Sequence, residues 1–236
     1  MAASPSTRLL RLTDRVWYLP HDESTDRPVL GYVHGDRLSL AVDAGASPAH
    51  VADFYRALAD EGLRPPDLTA ITHWHWDHAF GMGSVWGLTV ACRKTNELLA
   101  AERAQAMEDP TYWDGMRRDT KGFCLEFPAG DADPTVVTSA VQFEESLDLD
   151  LGGVTARLQR VEAPHTPDSV LVHVLEERVL FLGDAACSAC GVLDHTKLAL
   201  LATVVREADC LWYLHGHWTP LDAEGIAEDF DPSRTE

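Results

Sequence analysis

Short apolar runs separated by charged turns set the rhythm of the chain. Val16-Trp17-Tyr18-Leu19, residues 29–33 and residues 38–42 are aliphatic or aromatic runs of strand length, and the last two are joined by His34-Gly35-Asp36-Arg37 as a hairpin. From Pro48 to Leu63 the period changes to that of a helix, with apolar Val51, Phe54, Tyr55 and Leu58, and Pro65-Pro66 stops it. Leu68-Thr69-Ala70-Ile71-Thr72 predicts a buried strand; Leu88 to Cys92 and a helix from about Thr95 to Met107 repeat the strand–helix unit. Further strands are expected over 136–143, 147–151 and 154–161. A hairpin over 169–175 and 178–182 turns at Glu176-Glu177, a helix covers 194–208, and a last buried strand runs from Cys210 to Leu214.

Residues 108–135 fit neither period. They are rich in Asp, Gly and Pro yet carry Tyr112, Trp113, Met116, Phe123 and Phe127, as expected of a lid or binding loop or of a packed surface excursion. Residues 1–8 read as a loose tail. Two halves that each open with strands predict two packed sheets with helices outside, in one domain over 1–236. Pattern alone says no more than α/β or α+β.

With 236 residues the chain is long enough for a large core. Its net charge of −19 predicts a surface that repels nucleic acid and anionic membranes. No apolar run reaches the length of a membrane span, and the first residues lack the apolar segment of a signal peptide. Five irregularly spaced cysteines suggest a reducing compartment, so a cytoplasmic location is expected.

Chemistry concentrates in Thr72-His73-Trp74-His75-Trp76-Asp77-His78. Imidazole and carboxylate suit zinc and its first-row neighbours. If the backbone stays extended past the strand, His73 and His75 point to one side. Asp77 and His78 follow where Gly81 and Gly83 permit a turn, so the segment can present two ligands to one metal and two to a neighbour. This H-x-H-x-D-H pattern resembles the signature of the metallo-β-lactamase-fold hydrolases, and the resemblance extends roughly from Val16 to His217.

The resemblance implies an αβ/βα four-layer sandwich of two mixed sheets flanked by helices, with metals at one edge. It implies His165, in Ala163-Pro164-His165-Thr166-Pro167-Asp168, as the third ligand of the first metal, with His73 and His75. Asp77, His78 and His217 would hold the second, and Asp184, ending Phe181-Leu182-Gly183-Asp184, would bridge them. In Leu214-His215-Gly216-His217 alignment on the glycine favours His217 over its rival His215. Asp43, in Val42-Asp43-Ala44-Gly45, would support the metal loop from behind its ligands, or else simply start a turn. Two zinc ions are expected, with iron or manganese as substitutes. Two metals about 3.5–4 Å apart can share one hydroxide and polarise a substrate oxygen, with Asp77 orienting that hydroxide.

His75 fills a position where di-iron flavoproteins carry Glu, which favours hydrolysis. The acidic balance disfavours the nucleases. The thiol-ester hydrolases resembling glyoxalase II need a C-terminal helical region, and only about nineteen residues follow His217 here. Zinc β-lactamases more often lack the bridging Asp and are exported. The resemblance therefore implies a cytoplasmic hydrolase of an ester, thioester or lactone-type small molecule. A β-lactam hydrolase, a mononuclear iron sulfur dioxygenase and a non-catalytic metal-binding protein are the alternatives. Trp76, Phe80, Trp113 and Trp218 are expected to wall an apolar substrate pocket, whereas Trp74 packs under the metal loop. Cys187-x-x-Cys190 is either a metal or redox pair or a structural coincidence. His21, His34, His50, His173 and His195 belong to no motif and read as structural or exposed.

Overall fold

The central strands are apolar on both faces, and the structure explains why: both of their faces are covered, whereas strands such as Ser146–Asp150 and Thr155–Arg160 alternate. In a computed structural model that describes residues 8–188 and 191–230, two mixed sheets pack face to face with helices on their outer sides. The first has seven strands in the order β1 (Leu10–Arg11), β2 (Val16–Leu19), β3 (Leu30–His34), β4 (Ser39–Val42), β5 (Leu68–Ala70), β6 (Leu88–Cys92) and β7 (Val141–Phe143). It is antiparallel as far as β4 and parallel beyond. The second has five strands, and its order runs from β12 (Trp212–His215) through β11 (Val179–Gly183), β10 (Val170–Val174) and β9 (Thr155–Arg160) to β8 (Ser146–Asp150). Only β11 and β12 pair in parallel.

Strand alternation sorts the side chains between layers. Leu40, Val42, Val170, Val172, Val174 and Phe181 fill the space between the sheets. Ala41 faces outward to Phe54, Ala57 and Leu58 of helix α1 (Pro48–Asp60). Leu171, Leu180 and Leu182 face outward to Leu201 and Val205. These last two lie on α6 (His195–Glu207). Parallel neighbours need a crossover, supplied by α1 between β4 and β5 and by α3 (Arg93–Glu108) between β6 and β7. Ser47 starts α1 by accepting from the His50 N–H, with Pro48 in the first turn. The result is the expected αβ/βα four-layer sandwich.

The irregular segment differs from its expected form. It holds two helices, α4 (Tyr112–Asp119) and α5 (Lys121–Glu126), and, ahead of β6, the single four-residue turn α2 (Trp76–Ala79) runs into a 3-10 segment Phe80–Ser84. Helices of eight and six residues are too short to leave a periodic signature. Trp113 and Phe123 on these helices, with Phe127 and Val136 beyond them, are nonetheless buried and pack with Phe80, Ile71, Ala91 and Leu99. The strand expected over 136–143 is confined to Val141–Phe143, and a short α7 (Ala223–Asp229), capped by Asp222, escaped the pattern. Of the expected tail, residues 1–7 lie outside the described residues; Arg8 pairs with Glu61 at 3.7 Å.

Strands β4 and β5 of one sheet and β11 and β12 of the other end at the same edge. There the sheets are stitched together: Val170 N–H donates to the Thr72 carbonyl at 2.8 Å. Gly183, at φ +51°, lies so close that a Cβ would sit 2.6 Å from Thr72 Oγ1. A side chain at 183 would separate the two loops that carry the candidate ligands.

Candidate metal centre

The motif leaves β5 on an extended path and then coils. Ile71 N–H still pairs with Val90, and His75 is the residue before α2, so Asp77 and His78 lie in its single turn. Alternation brings His73 and His75 together, with ring centroids 4.8 Å apart, and the turn sets His78 4.2 Å from His73. His165 arrives from the β9–β10 loop, its Nε2 3.0 Å from His75 Nδ1. His73, His75 and His165 thus form one group of converging donor atoms; Asp77, His78, Asp184 and His217 form a second.

Asp184 joins the two. Its Oδ1 is 3.5 Å from His78 Nε2, while its Oδ2 is 3.5 Å from His217 Nε2 and 3.7 Å from His165 Nε2. Asp77 Oδ2 lies 3.1 Å from His217 Nε2 and 3.4 Å from His78 Nε2. Gly216 permits this approach, because a Cβ there would collide with the Asp184 carboxylate and the His78 ring.

What lies behind the rings sets their tautomers. Asp43, itself buried and at φ +66°, accepts from Thr72 N–H at 2.7 Å and from Thr72 Oγ1 at 2.9 Å. With its proton given to Asp43, Thr72 Oγ1 is left to accept from His73 Nδ1 at 3.1 Å. Asp43 Oδ2 accepts from His78 Nδ1 at 2.7 Å, and the Ser188 carbonyl accepts from His165 Nδ1 at 3.3 Å. In each ring the contact keeps a proton on the outer nitrogen and turns Nε2 inward. His73 Nε2, His78 Nε2 and Asp184 Oδ1 are buried without any hydrogen-bond partner. Orphaned buried atoms of this kind are rare unless something else satisfies them. Converging imidazole nitrogens and carboxylate oxygens are donors that fit borderline cations such as zinc.

The charge balance agrees. Burial, reinforced by neighbouring imidazoles, holds His73 well below its ordinary range, and burial and His165 bring His75 down to about 4. These two rings are neutral at neutral pH, as candidate metal ligands must be. In the other group burial opposes protonation, but Asp77, Asp184 and Asp43 prevail and hold His78 well above its usual value. His217 is likewise raised to about 9 against burial, by Asp184 and Asp77. That group draws positive charge into the fold.

The metallo-β-lactamase superfamily model matches residues 31–224, most of the chain and every donor named above. The chain belongs to the metallo-β-lactamase superfamily. Solved structures of this superfamily fold are similar over almost the whole chain. A metallo-β-lactamase from Pontibacter korlensis has 15% identity and a TM-score of 0.69, with 94% of this chain and 96% of that one covered. The stereoselective inverting sec-alkylsulfatase Pisa1 from Pseudomonas sp. has 13% identity and a TM-score of 0.73, covering 94% of this chain but 40% of that one. The DIM-1 metallo-β-lactamase has 15% identity and a TM-score of 0.65, with 94% of each chain covered. A search of curated proteins gave no sequence match.

Other expected residues fall elsewhere in the superfamily frame. His215 is buried on β12 and pairs through Nε2 with Asp229 at 3.2 Å, under Trp218. It shares strand parity with Tyr213, which faces the helices, whereas Leu214 faces between the sheets. His217, beyond Gly216, turns back into the centre. Phe80 and Trp113, expected on a pocket wall, are packed edge to face inside the apolar cluster of α4 and α5. Trp76 is half-buried against Phe123, and Trp218 is exposed. Cys190 lies outside the described residues; Cys187 is half-buried, and burial with Asp184 pushes its thiol up. Thr72, the Ser188 carbonyl and Asp26, whose Oδ1 is 3.7 Å from His217 Nδ1, were not singled out from sequence. Only contact with a ligand ring marks them, and no spacing rule reports that.

Proposed function

We propose that the protein is a zinc-dependent hydrolase that cleaves an ester, thioester or lactone-type small molecule in the cytoplasm. The observation that carries this reading is Asp184, one carboxylate shared between two groups of inward-facing donors. His73, His75 and His165 would hold one zinc ion; Asp77, His78 and His217 would hold the other. Bound zinc supplies Lewis acidity and makes water nucleophilic near neutral pH.

The chain's own residues supply the rest. Asp43, Thr72 and the Ser188 carbonyl lock three imidazoles in their tautomers before any ligand arrives, so little reorganisation remains at reaction. Asp77 is the general base of the reading: its carboxylate takes a proton from the attacking water and returns it to the leaving group. The aromatic edges of Trp76 and Trp218 offer apolar contact to an acyl chain. A mononuclear iron dioxygenase would leave the second group, with its two carboxylates, without a task.

The test is elemental analysis of protein purified without chelator, followed by a chromogenic panel of esters, thioesters, lactones, a cephalosporin, a sulfate ester and a phosphodiester. Near two equivalents of zinc and turnover of a carboxylic ester, thioester or lactone are expected. A stable single equivalent with full activity would remove the dinuclear reading. Iron with oxygen consumption would replace hydrolysis by dioxygenation, and turnover of the cephalosporin alone would make the enzyme a β-lactamase.

A further inference from the structure

Three of the five rings that face the centre have a hydrogen-bond acceptor behind them. His78 has Asp43 at 2.7 Å, His73 has Thr72 at 3.1 Å, and His165 has the Ser188 carbonyl at 3.3 Å. His217, whose Nε2 faces Asp77 and Asp184, has the Asp26 carboxylate at 3.7 Å from its Nδ1. This is longer than a hydrogen bond and short enough for a small side-chain rotation to close.

Asp26 does not sit there loosely. Its loop closes on itself, Asp22 N–H donating to Arg27 O at 2.9 Å and Arg27 N–H to Asp22 O at 3.3 Å. Asp26 takes φ +62°, which Asp tolerates better than most residues. Just beyond, Val29 N–H donates to the Gly216 carbonyl at 2.6 Å, which ties the loop to the residue preceding His217. On the other side Arg27 holds Asp53 of α1 at 2.8 Å and Glu126 of α5 at 2.6 Å. Gly122 of α5 backs the loop, because a Cβ there would meet Asp26 Cβ at 2.6 Å and the Thr25 carbonyl at 2.8 Å. The α4–α5 excursion and the end of β12 therefore grip the same short loop.

We propose that Asp26 is the positioning residue for His217: its carboxylate accepts the Nδ1 proton, fixes the inward Nε2 lone pair, and makes the second metal position depend on the Asp22–Arg27 loop. The inference rests on the two-metal reading above. It differs from a mere contribution of negative charge, since an acceptor at that point suffices and a formal charge is not needed.

The experiment is a competition titration of cobalt(II) and of zinc against a chromophoric chelator, on wild type, Asp26→Gly and Asp26→Asn. Glycine removes the acceptor while accepting the positive φ without strain, and Asn keeps an acceptor and tolerates that φ. In Asp26→Gly the second equivalent should bind roughly tenfold or more weakly, the range for losing the partner of a ligand histidine, and its cobalt visible spectrum should shift. The first equivalent should hold its affinity. Asp26→Asn should stay within about threefold of wild type. Equal losses in both variants would mean charge alone and overturn the positioning role, as would an unchanged second equivalent in Asp26→Gly. A wild type that takes up one equivalent only would instead overturn the two-metal reading, and the proposal with it.

Discussion

Asp77 carries two tasks in the proposed reaction, holding a metal and moving a proton, and one substitution separates them. Asn preserves shape and one oxygen but is no base. Asp77→Asn should lower kcat by roughly 10²-fold or more with little change in KM. Near-normal kcat once excess zinc restores both metals would reduce Asp77 to a ligand. His50 is a different kind of residue. It is buried, with its Nδ1 3.3 Å from the Ala46 N–H and against Gly45, where a Cβ would sit 2.5 Å away. Burial, helped by Arg27 and opposed by Asp53 and Asp77, lowers it to about 3. The unfolded chain takes up a proton at this ring below pH about 6.5, and the folded chain does not until about 3. Folding stability contributed here is therefore lost as pH falls from 6.5 toward 3, at up to about 1.4 kcal/mol per pH unit for one whole proton. In metal-free protein, His50→Asn should flatten the fall of the urea midpoint between pH 6 and 4 relative to wild type. Parallel curves would show that other groups carry the acid sensitivity.

At the scale of elements, the 108–135 excursion shows how burial replaces periodicity. Helices α4 and α5 are held by Trp113 stacked on Phe123 at 5.7 Å, by Phe80 edge-on to Trp113, and by the Tyr112 hydroxyl donating to Glu102 of α3 at 2.6 Å. Trp113 is 8% exposed, so its ring is a core ring and its loss leaves a cavity. Trp113→Ala should cost roughly 3–5 kcal/mol of folding stability, read as a lowered Tm and urea midpoint, with small and bulky substrates affected alike. A variant that melts like wild type but raises KM only for bulky acyl groups would return Trp113 to a pocket wall. The nearby ion pairs of Arg27 with Glu126 and Asp53 are partly buried and connect α5 to α1. This excursion therefore bears on the centre through the loop it holds as much as through any surface it offers to substrate.

At the scale of the molecule, net charge decides what approaches. With −19 distributed over 236 residues, the field opposes polyanions at any distance within the screening length. An anisotropy titration with a fluorescent oligonucleotide at moderate salt should stay flat; micromolar binding that weakens steeply as salt rises would contradict this. No helix among the described residues is long and apolar enough to cross a membrane.

Much of this architecture was legible along the chain, because strands buried on both faces leave continuous apolar runs and the long helices leave their period. The donor types were legible for the same local reason: His73, His75, Asp77 and His78 lie within one strand end and one turn, where geometry follows from backbone alternation. The short helices were not legible, since α4, α5 and α7 are stabilised by what they pack against and carry too few residues, eight at most, to show a period. The choice between His215 and His217 needed the strand itself, whose alternation turns His215 toward α7 and leaves His217, after Gly216, to face the centre. Asp184 between the two groups, Asp43 behind Thr72 and His78, Ser188 behind His165, and Asp26 behind His217 are set by contacts between segments tens to well over a hundred residues apart. Sequence by itself determined which chemical groups are present and on which local structures they ride. Only the packing of the two sheets at one edge decided which of them meet, because distance in space between loops is fixed by the layers beneath them and not by any spacing along the chain.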